Sequence, residues 1–305
     1  MKNILVIGSE GYVGSRLCDT LSANYSLIKV DLGWFGLFDS SILRKDFSNL
    51  SEIELENIDA VVLLAGHSSV KMSLNNWTST FNNNVYNFVS LAKKIKKLKK
   101  NIKLIFASSD SVYGNTNGET ADETYTKKPA INEYDASKLM LEDVAIFEHD
   151  IEWYGLRFGT VNGFSRNFRS ELMINSMYLA SKKGIINVTN KKINRAILDI
   201  DDLCRAVEVI IENGSFDKKG FYNLSSFNVT VEDIARHISE SERTRIQYGA
   251  DLLNPYDFKC DSSKFQYVFD FTFKGSAQSI LTGIKENFLN IQNIDSRNDP
   301  KKYME

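Results

Sequence analysis

The stretch Ile4-Leu5-Val6-Ile7-Gly8-Ser9-Glu10-Gly11-Tyr12-Val13-Gly14 decides the fold. Four consecutive apolar residues form a strand buried on both faces, and a helical pattern over 12–21 begins directly after the glycines. Gly8 suits the tight turn, Gly11 lets backbone approach a pyrophosphate, and Gly14 lets the helix pack closely on the strand. The helix N-terminus, with Tyr12 and Val13, offers N–H donors and the positive end of its dipole to a phosphate. A glycine triplet alone is weak evidence, but here the strand before it and the helix after it supply the required context. Asp31 closes the second apolar run, 26–30, about 20 residues beyond the loop, where a carboxylate accepts hydrogen bonds from the adenosine ribose. It would repel a 2′-phosphate, so NAD is expected rather than NADP.

Outward from this loop, apolar runs of strand length at 60–64, 104–107 and 151–156 alternate with helical patterns over about 76–100 and 132–147. Strands apolar on both faces and separated by helices predict an α/β fold, a Rossmann-type doubly wound parallel sheet. After about Gly163 the pattern loosens. Helical periodicity over 171–183, 201–211, 231–239 and 276–289, with strand-like runs at 185–188, 221–224 and 245–248, predicts a smaller mixed α/β C-terminal substrate lobe. The expected division is 1–163 for the NAD-binding domain, with some later segments returning to it, 164–290 for the substrate lobe, and 291–305 for a polar, frayed or loosely docked tail.

Composition narrows the classes of partner. The formal charge of −2 gives no global attraction to nucleic acid or acidic membranes, and neither is expected as a partner. Cys18, Cys204 and Cys260 are odd in number and widely spaced, so neither a zinc site nor a disulfide framework is indicated and no metal is expected. No run approaches the roughly 20 apolar residues of a membrane-spanning helix, and the first apolar run is a strand rather than a signal segment. A cytoplasmic location is expected. The run Lys93, Lys94, Lys96, Lys97, Lys99, Lys100 and Lys103 reads first as a solvated helix end complementing the dipole, and second as a patch for an anionic partner.

Tyr134-Asp135-Ala136-Ser137-Lys138 places a phenol and an ammonium four residues apart on one helical face. A free tyrosine is a poor base at neutral pH, whereas a neighbouring cation favours the phenolate. Upstream, Ser108-Ser109-Asp110-Ser111-Val112-Tyr113-Gly114 lies at a strand end.

Taken in order, these motifs resemble an extended short-chain dehydrogenase/reductase of the NAD-dependent epimerase/dehydratase family, which acts on nucleotide sugars. The resemblance covers nearly the whole chain. It includes Asp46-Phe47 at the adenine, Leu64-Ala65-Gly66 along the cofactor, Asn84-Val85 on the long central helix, Leu156-Arg157 with Gly163, and Arg195 through Asp202-Leu203. It implies that Tyr134 is the acid/base, that Lys138 lowers its pKa and binds the nicotinamide ribose, and that Ser109 relays the proton. It also places Ala107 at the cofactor, Thr160 at the substrate, and Arg195 on the substrate diphosphate. Arg157 matches a framework position. A homodimer formed through the two long helices is expected from the same resemblance.

The chain departs from the family pattern at several positions. Thr160 stands where an Asn is common, Leu63 replaces a frequent His, and Asp199 occupies another usual His. Tyr256 lies about where a basic residue is expected near 254–258, a gap that Arg166 and Arg169 are placed to fill. Dehydratases of the family carry Thr-Asp-Glu where this chain has Ser109-Asp110-Ser111, so a base for elimination is missing. The first reading is therefore a nucleotide-sugar epimerase that oxidises C4 and returns the hydride to the other face. The alternative is a one-way 4-dehydrogenase or 4-ketoreductase of a deoxysugar or heptose pathway, with a 4,6-dehydratase behind it. A non-catalytic NAD-sensing or RNA-binding relative is the reading from a different class.

Overall fold

The computed structural model describes residues 1–36, 39–251 and 256–295. The first half runs β1 (Asn3–Ile7), α1 (Tyr12–Leu21), β2 (Ser26–Asp31), β3 (Leu43–Arg44), α2 (Glu52–Leu55), β4 (Ala60–Leu63), α3 (Val70–Ser73), α4 (Trp77–Phe81), α5 (Asn87–Lys97), β5 (Lys103–Ser109), β6 (Thr120–Ala121), α6 (Glu133–Ala145) and β7 (Glu152–Phe158). The second runs β8 (Thr160–Asn162), β9 (Asn167–Arg169), α7 (Met173–Ser181), β10 (Ile185–Val188), β11 (Asn194–Asp199), α8 (Ile200–Asn213), β12 (Gly220–Leu224), β13 (Phe227–Thr230), α9 (Val231–Glu242), β14 (Arg245–Tyr248), β15 (Lys259–Cys260), α10 (Ser263–Phe269), α11 (Ala277–Asn287) and β16 (Asn293–Asp295).

Seven strands form one parallel sheet in the order β12-β7-β5-β4-β1-β2-β3. Alternate residues of β1 explain why both its faces are apolar. Ile4 and Val6 pack with Leu17 and Leu21 of α1, Leu203 and Val207 of α8, and Phe265 of α10. Leu5 and Ile7 pack on the other face with Phe88 and Leu91 of α5 and Leu141 of α6. Each such fully buried side chain contributes about 1.5–3 kcal/mol. Segments late in sequence therefore complete the first sheet, with β12 on its edge and α8 and α10 on one face. A second core, around Ile174, Ile197, Ile234 and Ile284, joins α7, α9 and α11 to the lobe's short strands. The chain turns to β2 on one side of β1 and to β4 on the other, so a crevice opens at the carboxyl ends of β1 and β4.

Two features differ from the sequence reading. The helical pattern over 76–100 is a composite: a π-helical turn, Asn82–Tyr86, separates α4 from α5 and turns Asn84 and Val85 inward. Such turns add a residue to a helix and are frequent at functional sites. The tail is docked at its start, because β16 pairs in parallel with β9, Asn293 opposite Asn167. Residues 296–305 of that tail lie outside the described residues.

The lysine run is largely tied into the fold. Lys97 pairs with Glu52 and Lys96 with Asp150, while Lys94, Lys100 and Lys103 donate to the carbonyls of Ser48, Glu56 and Ile211. Among the described residues no helix is long and apolar enough to cross a membrane.

Candidate active site

The crevice is a cleft lined by Gly8, Gly11, Tyr12, Val13 and Gly14 from the first loop. Asp31, Asp46, Phe47, Leu64, Ala65, Gly66 and Arg169 line it as well. Gly8 has φ +87°, and a Cβ there would lie 2.6 Å from the Ala65 nitrogen; one on Gly14 would lie 1.9 Å from the Gly8 oxygen. Glycine is thus required at both positions by close approach of backbone. Gly11 caps α1 with no side-chain hydrogen bond, which leaves the first N–H groups of the helix available to an anion at the cleft. Asp31 Oδ2 accepts from the Glu10 N–H at 3.0 Å and Oδ1 from the Gly33 N–H at 2.7 Å, so the carboxylate is oriented at the cleft rim. These residues fit a dinucleotide. The Tyr12 hydroxyl serves another purpose, donating to the Gly163 carbonyl at 2.8 Å and joining the glycine helix to the C-terminal lobe.

Tyr134 and Lys138 lie on α6, whose start is fixed by Asn132 accepting from the Asp135 N–H at 2.9 Å. The Lys138 ammonium is 5.8 Å from the Tyr134 ring centroid and donates to the Ala107 carbonyl at 2.8 Å. Ser109 ends β5, and its hydroxyl lies close enough to Tyr134 to favour the phenolate. The structure thus brings Tyr134, Lys138, Ser109 and Ala107 together, and burial governs their protonation. It pushes the Tyr134 phenol up to about 12 against the opposing effects of Ser109 and the Arg169 charge, and it pushes Lys138 down to about 8.

Behind the pair, the inward-turned Asn84 bridges two elements. Its Nδ2 donates to the Ser137 hydroxyl at 2.9 Å and to the His67 carbonyl at 3.0 Å, and its Oδ1 accepts from the His67 N–H at 2.8 Å. His67 is fully buried, and desolvation together with the Lys138 charge pushes its imidazole down to about 4. Arg157 forms a two-pronged pair with Glu142, at 2.9 and 2.8 Å, and donates to the Tyr113 hydroxyl at 2.6 Å. Glu142 also accepts from Ser108 at 2.6 Å, so Glu142 ties α6 to both β5 and β7. Its place is in the framework.

On the substrate side, Thr160 lies on β8 and Arg195 on the adjoining β11, where Ile197 pairs with Thr160. The Arg195 guanidinium donates to the carbonyls of Asn194 and Tyr256 and lies 5.6 Å over Phe258. Asp110 and Asp257 are the carboxylates whose charges act on it. Arg169 leaves this group and faces the cofactor cleft, where it pairs with Glu171 at 2.6 Å, and Arg166 pairs with Asp19 at 3.2 Å. Asn254, in the segment expected to carry a second basic residue, lies outside the described residues. The Tyr256 hydroxyl donates to Asp135 Oδ2 at 2.6 Å and accepts from Asn132 at 2.6 Å, bracing the start of α6.

Sequence reasoning did not single out Asp110 or His67 as site residues. Asp110 is buried beside Ser109, and burial raises its carboxyl well above the ordinary value. Its place after Ser109 in the strand-end motif was the available signal. His67 follows the Leu64–Gly66 segment directly and had no other mark.

A parallel sheet with a glycine loop at its switch point, and a buried Tyr–Lys pair beside a strand-end serine, make up a fold and candidate site of the short-chain dehydrogenase/reductase type. The chain belongs to the NAD dependent epimerase/dehydratase family, whose model matches residues 4–225. It is 26% identical over 174 residues to a UDP-glucose 4-epimerase of Streptococcus mutans, covering 53% of this chain and 51% of the relative. The chain spans about half the length of the curated relatives it matches. Among solved structures, a Thermotoga maritima UDP-glucose 4-epimerase with UDP-glucose is similar at TM-score 0.81 and 21% identity, covering 94% of this chain and 98% of that one. The Thermus thermophilus UDP-glucose 4-epimerase complex with NAD is similar at TM-score 0.78 and 20% identity, covering 93% and 98%. Similar chains also include nucleotide-sugar 4,6-dehydratases and a heptose epimerase, and at these identities the structural likeness establishes the fold.

Proposed function

We propose that the chain is a nucleotide-sugar 4-epimerase. The observation that carries this reading is the convergence of Tyr134, Lys138 and Ser109 at the end of β5, with Ser111 rather than a carboxylate two residues further on. The cleft residues from Gly8 to Gly66 hold the dinucleotide, Asp31 takes the adenosine ribose, and Asn84, Ala107 and Lys138 meet its nicotinamide end. When bound, NAD supplies a reversible hydride acceptor.

Tyr134 takes the proton of the sugar C4 hydroxyl through or beside Ser109 and returns it when the ketone is reduced. Lys138 holds positive charge beneath the phenol and steadies the ribose. The Asp110 carboxyl is an acid without a partner base at position 111, so removal of a C5 proton lacks its catalyst and elimination is disfavoured. A 4-epimerase needs no further acid or base than this. Arg195 pairs with the substrate diphosphate, a task suited to its planar fork, and Thr160 contacts the sugar. Arg169 faces the phosphates from the cofactor side.

Incubating the protein with UDP-, GDP-, CDP- and dTDP-sugars and identifying products by NMR tests the reading. A C4 epimer formed without net cofactor reduction supports it. A 4-keto-6-deoxy product assigns a dehydratase, and stoichiometric reduction of NAD assigns a one-way dehydrogenase. Absence of both NAD binding and turnover assigns a non-catalytic protein.

The same reading includes a homodimer in the cytoplasm. Tyr86 (63% exposed) and Trp77 on one long helical unit, with Met140 and Phe147 on or just after α6, supply exposed apolar area for pairing two copies.

A further inference from the structure

One wall of the cofactor cleft is the loop after β2, from which Asp31, Leu32, Trp34 and Phe35 face the cavity. The Asp31 carboxylate fixes its first turn. Its Phe35 is held from far along the chain: Asn293 Nδ2 donates to the Phe35 carbonyl at 3.0 Å across 258 positions. Asn167, fully buried, reaches the same oxygen at 3.4 Å and donates to the Glu10 carbonyl in the glycine loop at 2.7 Å. Asn293 also donates to Asn167 Oδ1 at 3.1 Å. The four amide hydrogens of this asparagine pair are therefore all placed, three of them on the loops that form the cleft.

The strand carrying Asn293 is seated in register. The Arg166 carbonyl accepts from the N–H groups of Gln292 and Asn293, at 2.9 and 3.1 Å, and Ser170 N–H donates to the Asp295 carbonyl at 2.8 Å. This pairing contributes little apolar burial, since Ile294 is 51% exposed. Its directed contacts are polar, and they end on backbone that lines the cleft. Neither amide touches Tyr134, Lys138 or Ser109 in the hydrogen bonds described above, so the consequence falls on cofactor binding and leaves the chemical step alone.

We propose that β16 is a strap on the dinucleotide site, in which Asn293 and Asn167 are positioning residues that hold the Phe35 wall and the glycine loop around the adenosine half of the cofactor. This rests on the dinucleotide reading of the cleft. The test compares the full chain with Asn293→Ala and with the near-isosteric Asn293→Asp, which cannot donate to a carbonyl. NAD affinity is measured by calorimetry, NAD release by stopped flow, and the melting temperature without cofactor. Both variants are expected to raise the NAD Kd about five- to tenfold, mostly through faster release, as expected for the loss of one directed hydrogen bond. The cofactor-free melting temperature should stay close to the parent's, and exposed Asn290→Ala should bind as the parent does. A Kd within twofold of the parent in the folded Asn293→Asp protein overturns the strap, as does an unchanged Kd with a lowered melting temperature. A parent chain that binds no NAD overturns the reading of the cleft itself.

Discussion

The side-chain amide of Asn84 donates to the Ser137 hydroxyl at 2.9 Å, so a π-helical turn grips α6 between Tyr134 and Lys138. The same amide holds the His67 carbonyl, and the grip fixes α6 against the loop after β4.

Asn84→Ala removes both anchors and leaves the buried His67 N–H and carbonyl unpaired. The expected cost is about 2 kcal/mol of stability and roughly a tenfold loss in kcat. Chemical denaturation and steady-state kinetics check both, and a variant with parental kcat would deny Asn84 a positioning role.

Tyr134→Phe should lower turnover by about 10²- to 10⁴-fold with the NAD Kd little changed. Because burial pushes the phenol up to about 12, the parent enzyme's rate should climb from pH 6 into the alkaline range as the phenolate population grows. A rate independent of pH across that range would argue against proton removal by Tyr134.

Lys138 is expected to exchange stability for activity. Its folded value of about 8 lies below the ordinary 10.5, so the unfolded chain holds more protons between those values and stability rises with pH across that window. Below it, the buried ammonium costs on the order of 3 kcal/mol. Lys138→Met should therefore stabilise the cofactor-free protein at pH 7 by about 1–3 kcal/mol while abolishing turnover. Urea unfolding at pH 7 decides the sign.

Asp199 gives the opposite slope. Burial raises its carboxyl to about 6, so the folded state holds the extra proton between about 4 and 6, and its contribution to stability is lost as pH rises through 6. Asp199→Asn keeps a capping side chain on α8, where Asp199 Oδ1 accepts from the Asp201 N–H at 3.0 Å. The variant should gain about 1–3 kcal/mol over the parent at pH 7.5 and nothing at pH 4. Equal stability at both pH values would contradict this.

Tyr86→Glu combined with Phe147→Glu should convert a dimer to a monomer, read by light scattering at micromolar concentration. A parent already monomeric there would remove the dimer from the proposal.

The sequence made the Rossmann sheet and the Tyr134–Lys138 pair legible because both are local patterns: apolar runs, glycine spacing, and two side chains one helical turn apart. The π-turn at Asn82–Tyr86 was hidden because one added residue barely alters the periodicity around it. Helix α10 was missed for a similar reason. Phe265, Tyr267, Phe269, Phe271 and Phe273 alternate at a strand's period, yet the chain coils from Ser263 to Phe269 and packs Phe265 and Phe269 on the sheet. The Asn167–Glu10 contact joins residues 157 positions apart through an amide, which leaves no periodic trace. The protonation of Tyr134 was not legible either, since burial depends on the assembled fold rather than on the spacing to Lys138.

The late entry of α8 and β12 sets an order of events during synthesis. The face of β1 formed by Ile4 and Val6 awaits Leu203 and Val207, and the free edge of β7 awaits β12. A nascent chain that has emerged only through β7 carries an open sheet edge and an uncovered apolar face, which are the two surfaces most prone to self-association. Fragments of that length should aggregate, and the exposure ends only once α10, up to about residue 269, has also emerged.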